Sequence, residues 1–127
     1  MTSIRTLFTT AGIAAALVVA TAAQAHPRLV SSTPAANATA ERPARIELRF
    51  NEALAGQFSG VDLVMTDMPG MKMPPMKIAV DTSVGADGKT LVAVPKSSLH
   101  TGSYKLDWHA VTADTHRVNG SFTFKVK

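Results

Sequence analysis

Five methionines lie close together in the middle of the chain, in the stretch VMTDMPGMKMPPM. They are Met65, Met68, Met71, Met73 and Met76. A thioether sulfur is a soft, uncharged donor that suits soft ions such as Cu(I), and several must converge to hold one ion. The prolines and the glycine between the methionines exclude a helix with a methionine stripe and disfavour a central strand. The pattern therefore predicts a Cu(I) site on an irregular loop.

Two other interpretations of this run remain open. Methionine is a flexible filler of gaps in hydrophobic cores, and methionine clusters also form adaptable surfaces for partner proteins. An irregular, proline-rich loop usually lies at the surface, where five large apolar side chains need a function. This argument favours metal binding over core packing.

The first 25 residues have the pattern of a secretory signal peptide. Arg5 precedes an apolar stretch at residues 11–20, and residues 23–25 form an A-x-A cleavage site. We expect cleavage after Ala25, so that the mature domain spans residues 26–127 and begins at His26. The apolar stretch is shorter than the roughly 20 residues of a membrane span, and the chain has no cysteine for lipid attachment. We therefore expect an exported, soluble protein that is not anchored to a membrane.

Composition narrows the class of protein further. A mature domain of about 100 residues has room for one core, which must supply the stability because no disulfide is available. Removing Arg5 from the 13 basic residues leaves 12 against 9 acidic residues. These charges are scattered singly, which is typical of a solvated sheet face rather than a nucleic-acid-binding surface, so we expect no nucleic-acid partner.

Apolar and polar residues alternate with a period of two along most of the mature sequence, which predicts an all-β domain. The expected strands cover residues 29–33, 46–50, 61–65, 76–80, 90–94, 104–108 and 122–126. About seven short antiparallel strands in a chain of this size predict an immunoglobulin-like Greek-key β-sandwich or barrel. Turn signals separate the strands, Asn119-Gly120 among them. Leu99, Gly102 and Tyr104 have the pattern of a tyrosine corner.

Strand direction places the loops. If seven strands alternate in direction, the methionine loop lies at the end of the sandwich opposite His26, roughly 20 to 25 Å away. The loop at residues 112–117 falls at the same end as His26.

Three residues at the His26 end have the chemistry of a Cu(II) site. A mature amino-terminal His26 offers its α-amine and its imidazole Nδ1 to one metal, and Pro27 has no N–H for further backbone chelation. Asp114 and His116 are two residues apart, so in an extended segment their side chains point the same way. This set of nitrogen and oxygen donors suits Cu(II). Since the amine and the imidazoles bind only when deprotonated, affinity should fall below about pH 7.

The Asp-x-His pair is weak by itself, because a loop Asp is commonly a turn former and a loop His a surface residue. The expected amino-terminal histidine gives the pair its weight. Glu52, at a strand end, is either an outer partner of this site or a solvated side chain. His100 and His109 are expected to be surface residues.

The mature sequence resembles the periplasmic copper-resistance proteins of the CopC and PcoC family over its whole length. The matching segments are HPRLVSSTPA, IELRFNEAL, QFSGVDLVMTDMPGM, YKLDWHAVTADTH and GSFTFKVK. The resemblance implies a periplasmic immunoglobulin-like β-barrel that binds Cu(II) at one end through His26, Asp114 and His116. It implies a Cu(I) site at the other end, with ligands drawn from Met65, Met68, Met71 and Met76.

Met73 departs from the family pattern. Well-studied members have a histidine in this loop, as in MPGMEHSPM, whereas the present chain reads MPGMKMPPM. The replacement leaves an all-thioether loop, which should be softer and less sensitive to pH.

The resemblance favours a monomeric copper carrier or buffer that is not an enzyme. Its implied partners are an inner-membrane copper permease and periplasmic copper-resistance oxidases. The main alternative is a copper-dependent oxidative enzyme of the polysaccharide monooxygenase type, which also chelates copper through an amino-terminal histidine. Such enzymes need an open copper position and a flat aromatic surface, and the chain has one Trp and one Tyr. A third possibility is a structural or adhesive module whose methionine loop docks a partner.

Overall fold

The computed structural model describes residues 26–127, which form nine β-strands. The expected signal peptide lies outside the described residues. The strands are β1 (Leu29–Thr33), β2 (Thr39–Ala40), β3 (Ile46–Phe50), β4 (Gly60–Asp67), β5 (Met76–Ile78), β6 (Val80–Val84), β7 (Thr90–Pro95), β8 (Gly102–Val111) and β9 (Arg117–Val126). A 3-10 helical turn, Gly56–Phe58, precedes β4. In this part of the chain no helix is long and apolar enough to cross a membrane.

The strands form two sheets that pack face to face. One sheet has the order β1-β3-β7-β6 and the other β2-β9-β8-β4-β5. Strands that follow each other in the chain, such as β3 and β4 or β7 and β8, lie in different sheets, so the connections cross between layers as in Greek-key sandwiches. The predicted all-β, immunoglobulin-like sandwich is confirmed.

The structure has two strands more than the expected seven: the strand predicted at residues 76–80 is two strands, and β2 is additional. β5 pairs with β4 in one sheet, whereas β6 pairs with β7 in the other. The apolar alternation continues through Met76, Ile78 and Val80, so the pattern carries no mark of the change of sheet. The short β2, which was not predicted, pairs with β9 in parallel.

The core lies between the two sheets and is built from the inward-facing residues of both. Its largest fully buried side chains are Tyr104, Phe50, Phe124, Ile46, Leu48, Leu63, Met65, Leu91 and Leu106. The hydroxyl of Tyr104 donates a hydrogen bond of 2.6 Å to the backbone carbonyl of His100. A buried phenol thus finds a partner four residues upstream, and the predicted tyrosine corner is confirmed.

Gly120 lies inside β9, so the turn predicted at Asn119-Gly120 is wrong. It pairs with Trp108 of β8, and a Cβ at this position would lie 2.3 Å from Cζ2 of the indole. The glycine leaves room for the indole, which packs edge-on against Phe50 of the opposite sheet with ring centroids 5.1 Å apart. What looked like a turn signal is therefore a packing requirement at the junction of the two sheets.

The strand directions place the candidate sites at opposite ends of the sandwich. Leu29 pairs with Phe50, so the segment before β1 lies beside the end of β3. β8 ends and β9 begins at this same end, which we call the His26 end. β4 runs from the His26 end to the other, the methionine end, and its eight residues span about 23 Å. The His26 end and the methionine loop therefore lie at opposite ends of the sandwich, as expected, although the domain has nine strands and not seven.

We expect Gly120→Ala to destabilise the domain by about 1 to 3 kcal/mol, because the added methyl group overpacks the contact with Trp108. Urea unfolding of the mature domain measures the change. Ser121→Ala is the control, since this neighbour is exposed and its loss should change the free energy of unfolding by less than about 0.5 kcal/mol. Equal effects of the two substitutions would contradict the packing argument.

Candidate metal sites

The two histidines predicted for the His26 end lie close together. The ring centroids of His26 and His116 are 5.3 Å apart, with an angle of 49° between the ring planes. A metal bound by one nitrogen of each ring lies about 3 Å from each centroid, so this spacing is compatible with one ion between the two rings. Asp114 is in direct contact with His116, with its Oδ2 3.0 Å from Nδ1 of the imidazole. The fold therefore brings all three predicted residues to one place.

The connection between β8 and β9 holds Asp114 and His116 in a tight turn. The backbone N–H of Thr112 donates to the carbonyl of His116 over 3.0 Å, and the N–H of Thr115 donates to the carbonyl of Thr112 over 2.9 Å. Thr115 adopts a left-handed conformation with φ of 70°. The turn keeps both potential ligands at its exposed tip, where each side chain is about half exposed.

Thr112 makes a side-chain hydrogen bond to Asp114 within the turn. Its side chain is buried, and its hydroxyl donates a hydrogen bond to Oδ1 of Asp114. This hydrogen bond is the main cause that lowers the pKa of Asp114 below its ordinary value of 3.8, and His116 adds to the effect. The carboxylate is therefore held in its charged form, which is the form that binds a metal.

The contact between Asp114 and His116 also decides which imidazole nitrogen faces outward. Because Nδ1 of His116 contacts the carboxylate, Nε2 is the nitrogen available to a metal. While the carboxylate contacts Nδ1 it lies across the imidazole from Nε2, too far for both groups to reach one ion with bonds of about 2 Å, so shared binding would require this contact to open. The hydrogen bond from Thr112 uses the other carboxylate oxygen and can remain. With the contact open, this turn can offer one nitrogen and one oxygen ligand.

Side chains alone do not complete the site. Within residues 26–127, no group of three or more His, Cys, Asp or Glu side chains is arranged to hold a metal. The predicted donor set includes the α-amine of His26, which in the unprocessed chain is the peptide nitrogen joined to Ala25. The predicted site thus depends on cleavage before His26.

Three further residues considered in the sequence analysis lie outside the contacts of His26, Asp114 and His116 described above. Glu52 is half-buried just beyond the end of β3. His100 is exposed before β8, and His109 is half-buried on the outer face of the sheet against Gly60. Sequence reasoning missed Thr112, although a Thr two residues before an Asp is a usual side-chain turn pattern. It also missed Asn51, for which the sequence carried no signal beyond a polar residue at a strand end.

At the methionine end, a tight turn pairs two of the methionines. The N–H of Met71 donates to the carbonyl of Met68 over 3.1 Å, and the two residues form an isolated β-bridge. Pro69 and Gly70 occupy the centre of the turn, where Gly70 has φ of 77°. Proline followed by a left-handed glycine is the sequence of a type II turn. The residues that exclude a helix here thus bring two thioethers side by side.

Four methionines line one groove at this end of the sandwich: Met68, Met71, Met73 and Met76. Pro74, Pro75 and Lys77 complete its walls. Met71 and Met76 are 58% and 44% exposed, whereas Met68 and Met73 pack partly on the core. Four thioether side chains therefore border one open space, and several such side chains are needed to hold a soft ion.

Met65 lies apart from this groove. Its side chain is fully buried and belongs to the core, on the same face of β4 as Val61 and Leu63. The alternation in β4 predicts this inward position, whereas the grouping of Met65 with the loop methionines followed from closeness in sequence and from the family resemblance. Of the five methionines predicted as ligands, the structure brings four together and keeps Met65 in the core.

Comparison with known proteins agrees with this architecture. A CopC domain matches residues 29–127. The chain belongs to the CopC domain family. It is 54% identical to copper resistance protein C of Pseudomonas syringae pv. tomato, over 99% of this chain and 96% of that relative. It is 46% identical to copper resistance protein C of Escherichia coli, over 86% and 87% of the two chains.

Solved structures of this family have the same fold. The crystal structure of PcoC, a methionine-rich copper resistance protein from Escherichia coli, superposes with a TM-score of 0.74 at 44% sequence identity. The superposition covers 81% of this chain and all of PcoC. CopC from Methylosinus trichosporium OB3b superposes with a TM-score of 0.68 at 23% identity, which supports the fold alone.

We expect Thr112→Val to raise the pKa of Asp114 towards its ordinary value, because the main hydrogen bond to the carboxylate is lost. In the wild type this hydrogen bond stabilises the fold above the unfolded-state pKa near 3.8, and the stabilisation is lost as pH falls through the lower folded-state pKa. Carboxyl NMR titration of the metal-free domain measures both values. Thr112→Ser keeps the hydroxyl and should titrate like the wild type; a Thr112→Val curve that matches both would contradict the assignment.

Proposed function

We propose that this member of the CopC family is an exported copper-binding protein that sequesters and carries copper. The observation that carries the proposal is the convergence of His26, Asp114 and His116 at one end of the sandwich, in a chain whose relatives are named copper resistance proteins. His26 is far from Asp114 and His116 in the sequence, and the donor atoms of the three residues have the character that Cu(II) prefers. The protein would act after removal of residues 1–25, in the periplasm.

The proposed Cu(II) ligands are the α-amine and Nδ1 of His26, a ring nitrogen of His116 and a carboxylate oxygen of Asp114. Pro27 limits chelation by the amino terminus to two nitrogens, so the fold must supply the other donors. Because the amine and both imidazoles must lose protons to bind, Cu(II) affinity should fall as the medium becomes acidic.

The proposed Cu(I) ligands are drawn from Met68, Met71, Met73 and Met76. The groove that they line supports this choice, and the burial of Met65 argues for leaving it out of the set. With Met73 in place of the histidine that relatives carry, the site would be all thioether, and its affinity would be nearly independent of pH.

We also propose that the protein transfers copper to an inner-membrane copper permease or to periplasmic copper-resistance oxidases, which are the partners that the family resemblance implies. Two ends with different ligand chemistry would let one monomer hold copper in either oxidation state. Such a carrier needs fixed ligands and exposed sites, and it needs no catalytic residues.

An oxidative enzyme of the polysaccharide monooxygenase type is less well supported. Such an enzyme would need aromatic side chains displayed near the copper to bind the polymer. Trp108 and Tyr104 are 8% and 1% exposed and belong to the core. Asp114 would also occupy a copper position that oxygen requires.

Adding one residue before His26 should weaken Cu(II) binding by more than about 100-fold, because the extension removes a ligand and loss of an outer partner alone costs about 10- to 100-fold. Competition with a chelator of known affinity measures the dissociation constant of the mature and extended proteins. Ag(I) binding is the control, since it should use the methionine end and stay unchanged. An extended protein that binds Cu(II) as tightly as the mature one would refute the amino-terminal chelate.

Met71→Leu with Met76→Leu should weaken Cu(I) binding at least about tenfold, because leucine keeps the volume and lacks the sulfur. Cu(I) competition titrations under anaerobic conditions measure the change, and Ag(I) should displace Cu(I) from the wild type. Met65→Leu is the matched control: it should leave Cu(I) affinity unchanged and cost less than about 1.5 kcal/mol of stability. Equal loss of Cu(I) affinity in both variants would place Met65 among the ligands.

A further inference from the structure

Asn51 makes three hydrogen bonds with the segment that begins at His26. Its backbone N–H donates to the carbonyl of Arg28 over 3.1 Å, and its side-chain Oδ1 accepts from the N–H of Arg28 over 2.7 Å. Its Nδ2 donates to the carbonyl of His26 over 3.5 Å. One residue at the end of β3 therefore bonds the chain on both sides of Pro27.

These bonds continue the sheet where regular pairing stops. The ladder between β1 and β3 ends at Leu29 and Phe50. Beyond it Pro27 has no N–H to offer, so a backbone ladder could not continue unchanged. The carboxamide of Asn51 instead bonds the backbone on either side of Pro27, at the N–H of Arg28 and the carbonyl of His26. Pro27 itself is buried.

The contacts matter because chain ends usually fray. The first residues of a domain are poorly ordered unless hydrogen bonds or packing hold them. In the mature protein His26 would be the terminal residue, and its ring must stay near His116, 5.3 Å away between centroids. A free terminus would have to be ordered each time the ion binds, which lowers affinity.

We propose that Asn51 is a positioning residue of the Cu(II) site, which holds residues 26–28 against the end of β3 so that His26 faces His116. The inference rests on the proposed Cu(II) function. Asn51 is assigned as a positioning residue and not as a ligand, because both ends of its carboxamide bond the backbone of residues 26–28 and its amide nitrogen has no free pair for a metal. Its effect on copper would pass through His26.

A double-mutant cycle tests this assignment on the mature protein. Asn51→Ala should weaken Cu(II) binding about tenfold, within the range for outer partners of metal ligands. In the His26→Ala background, which keeps the α-amine but lacks the imidazole, the same substitution should weaken Cu(II) binding less than it does in the wild type. The electron paramagnetic resonance spectrum of copper-saturated Asn51→Ala should match the wild type, because the ligands are the same.

Two further variants separate positioning from folding. Asn51→Ser keeps an acceptor for the N–H of Arg28 and should bind Cu(II) with an affinity between those of the wild type and Asn51→Ala. Asn119→Ala removes a carboxamide from the outer face of β9, where it bonds Arg117, and should leave Cu(II) affinity unchanged. Ag(I) affinity at the methionine end should be the same in all of these proteins.

The outcomes distinguish this inference from the function on which it rests. If the mature wild type binds no Cu(II), the proposed function fails. If the wild type binds Cu(II) and Asn51→Ala binds it as tightly, only the role of Asn51 is wrong. Equal weakening by Asn51→Ala in the wild-type and His26→Ala backgrounds would also overturn it, because Asn51 would then not act through the position of the His26 imidazole.

Discussion

The antiparallel pairing of β8 with β9 and β4 is the constraint on which both ends of this molecule depend. β8 and β9 pair without interruption from Gly102 opposite Val126 to Val111 opposite Arg117. Their connection carries Asp114 and His116 at the His26 end, and β4 pairs along the other side of β8 until it delivers the methionine loop to the opposite end. A slip by one residue would turn every side chain on these strands to the other face, so the core also secures the positions of the sites.

The contact of Trp108 with Gly120 and Phe50 fastens this three-strand unit to the opposite sheet. The indole lies over a strand position that has no side chain and reaches a ring of β3. β3 in turn ends at Asn51, which holds the segment before β1. Packing near the His26 end is therefore linked through β3 to the segment that carries His26.

The two candidate sites are built in different ways. The methionine groove is local, since its four methionines lie within nine consecutive residues and a proline-glycine turn brings two of them together. The His26 site is assembled from three distant segments, at residues 26–28, 51 and 112–116, which meet only when both sheets have formed. Small shifts between the two sheets leave a local site intact, whereas they change the distances between the ligands of an assembled site. The buried Thr112 and the hydrogen bonds of Asn51 provide rigidity where the segments meet.

The sequence by itself determined the fold class and the residue types available for metal binding. Period-two alternation predicts strands because each strand buries one face, and the methionine run and the Asp-x-His pair are visible as sets of donor atoms. Only the tertiary structure decided that residues 76–80 divide between two sheets and that Gly120 contacts Trp108 instead of forming a turn. The alternation in β4 predicts that Met65 is buried, but only the tertiary structure showed that the groove of the other four methionines lies apart from it. These outcomes depend on which strands are neighbours in a sheet. Hydrogen bonds between strands produce no periodic pattern in the amino-acid sequence, so the sequence does not reveal the neighbours. The closeness of His26 to His116, and the hold of Asn51 on the first residues, follow from the same long-range pairing.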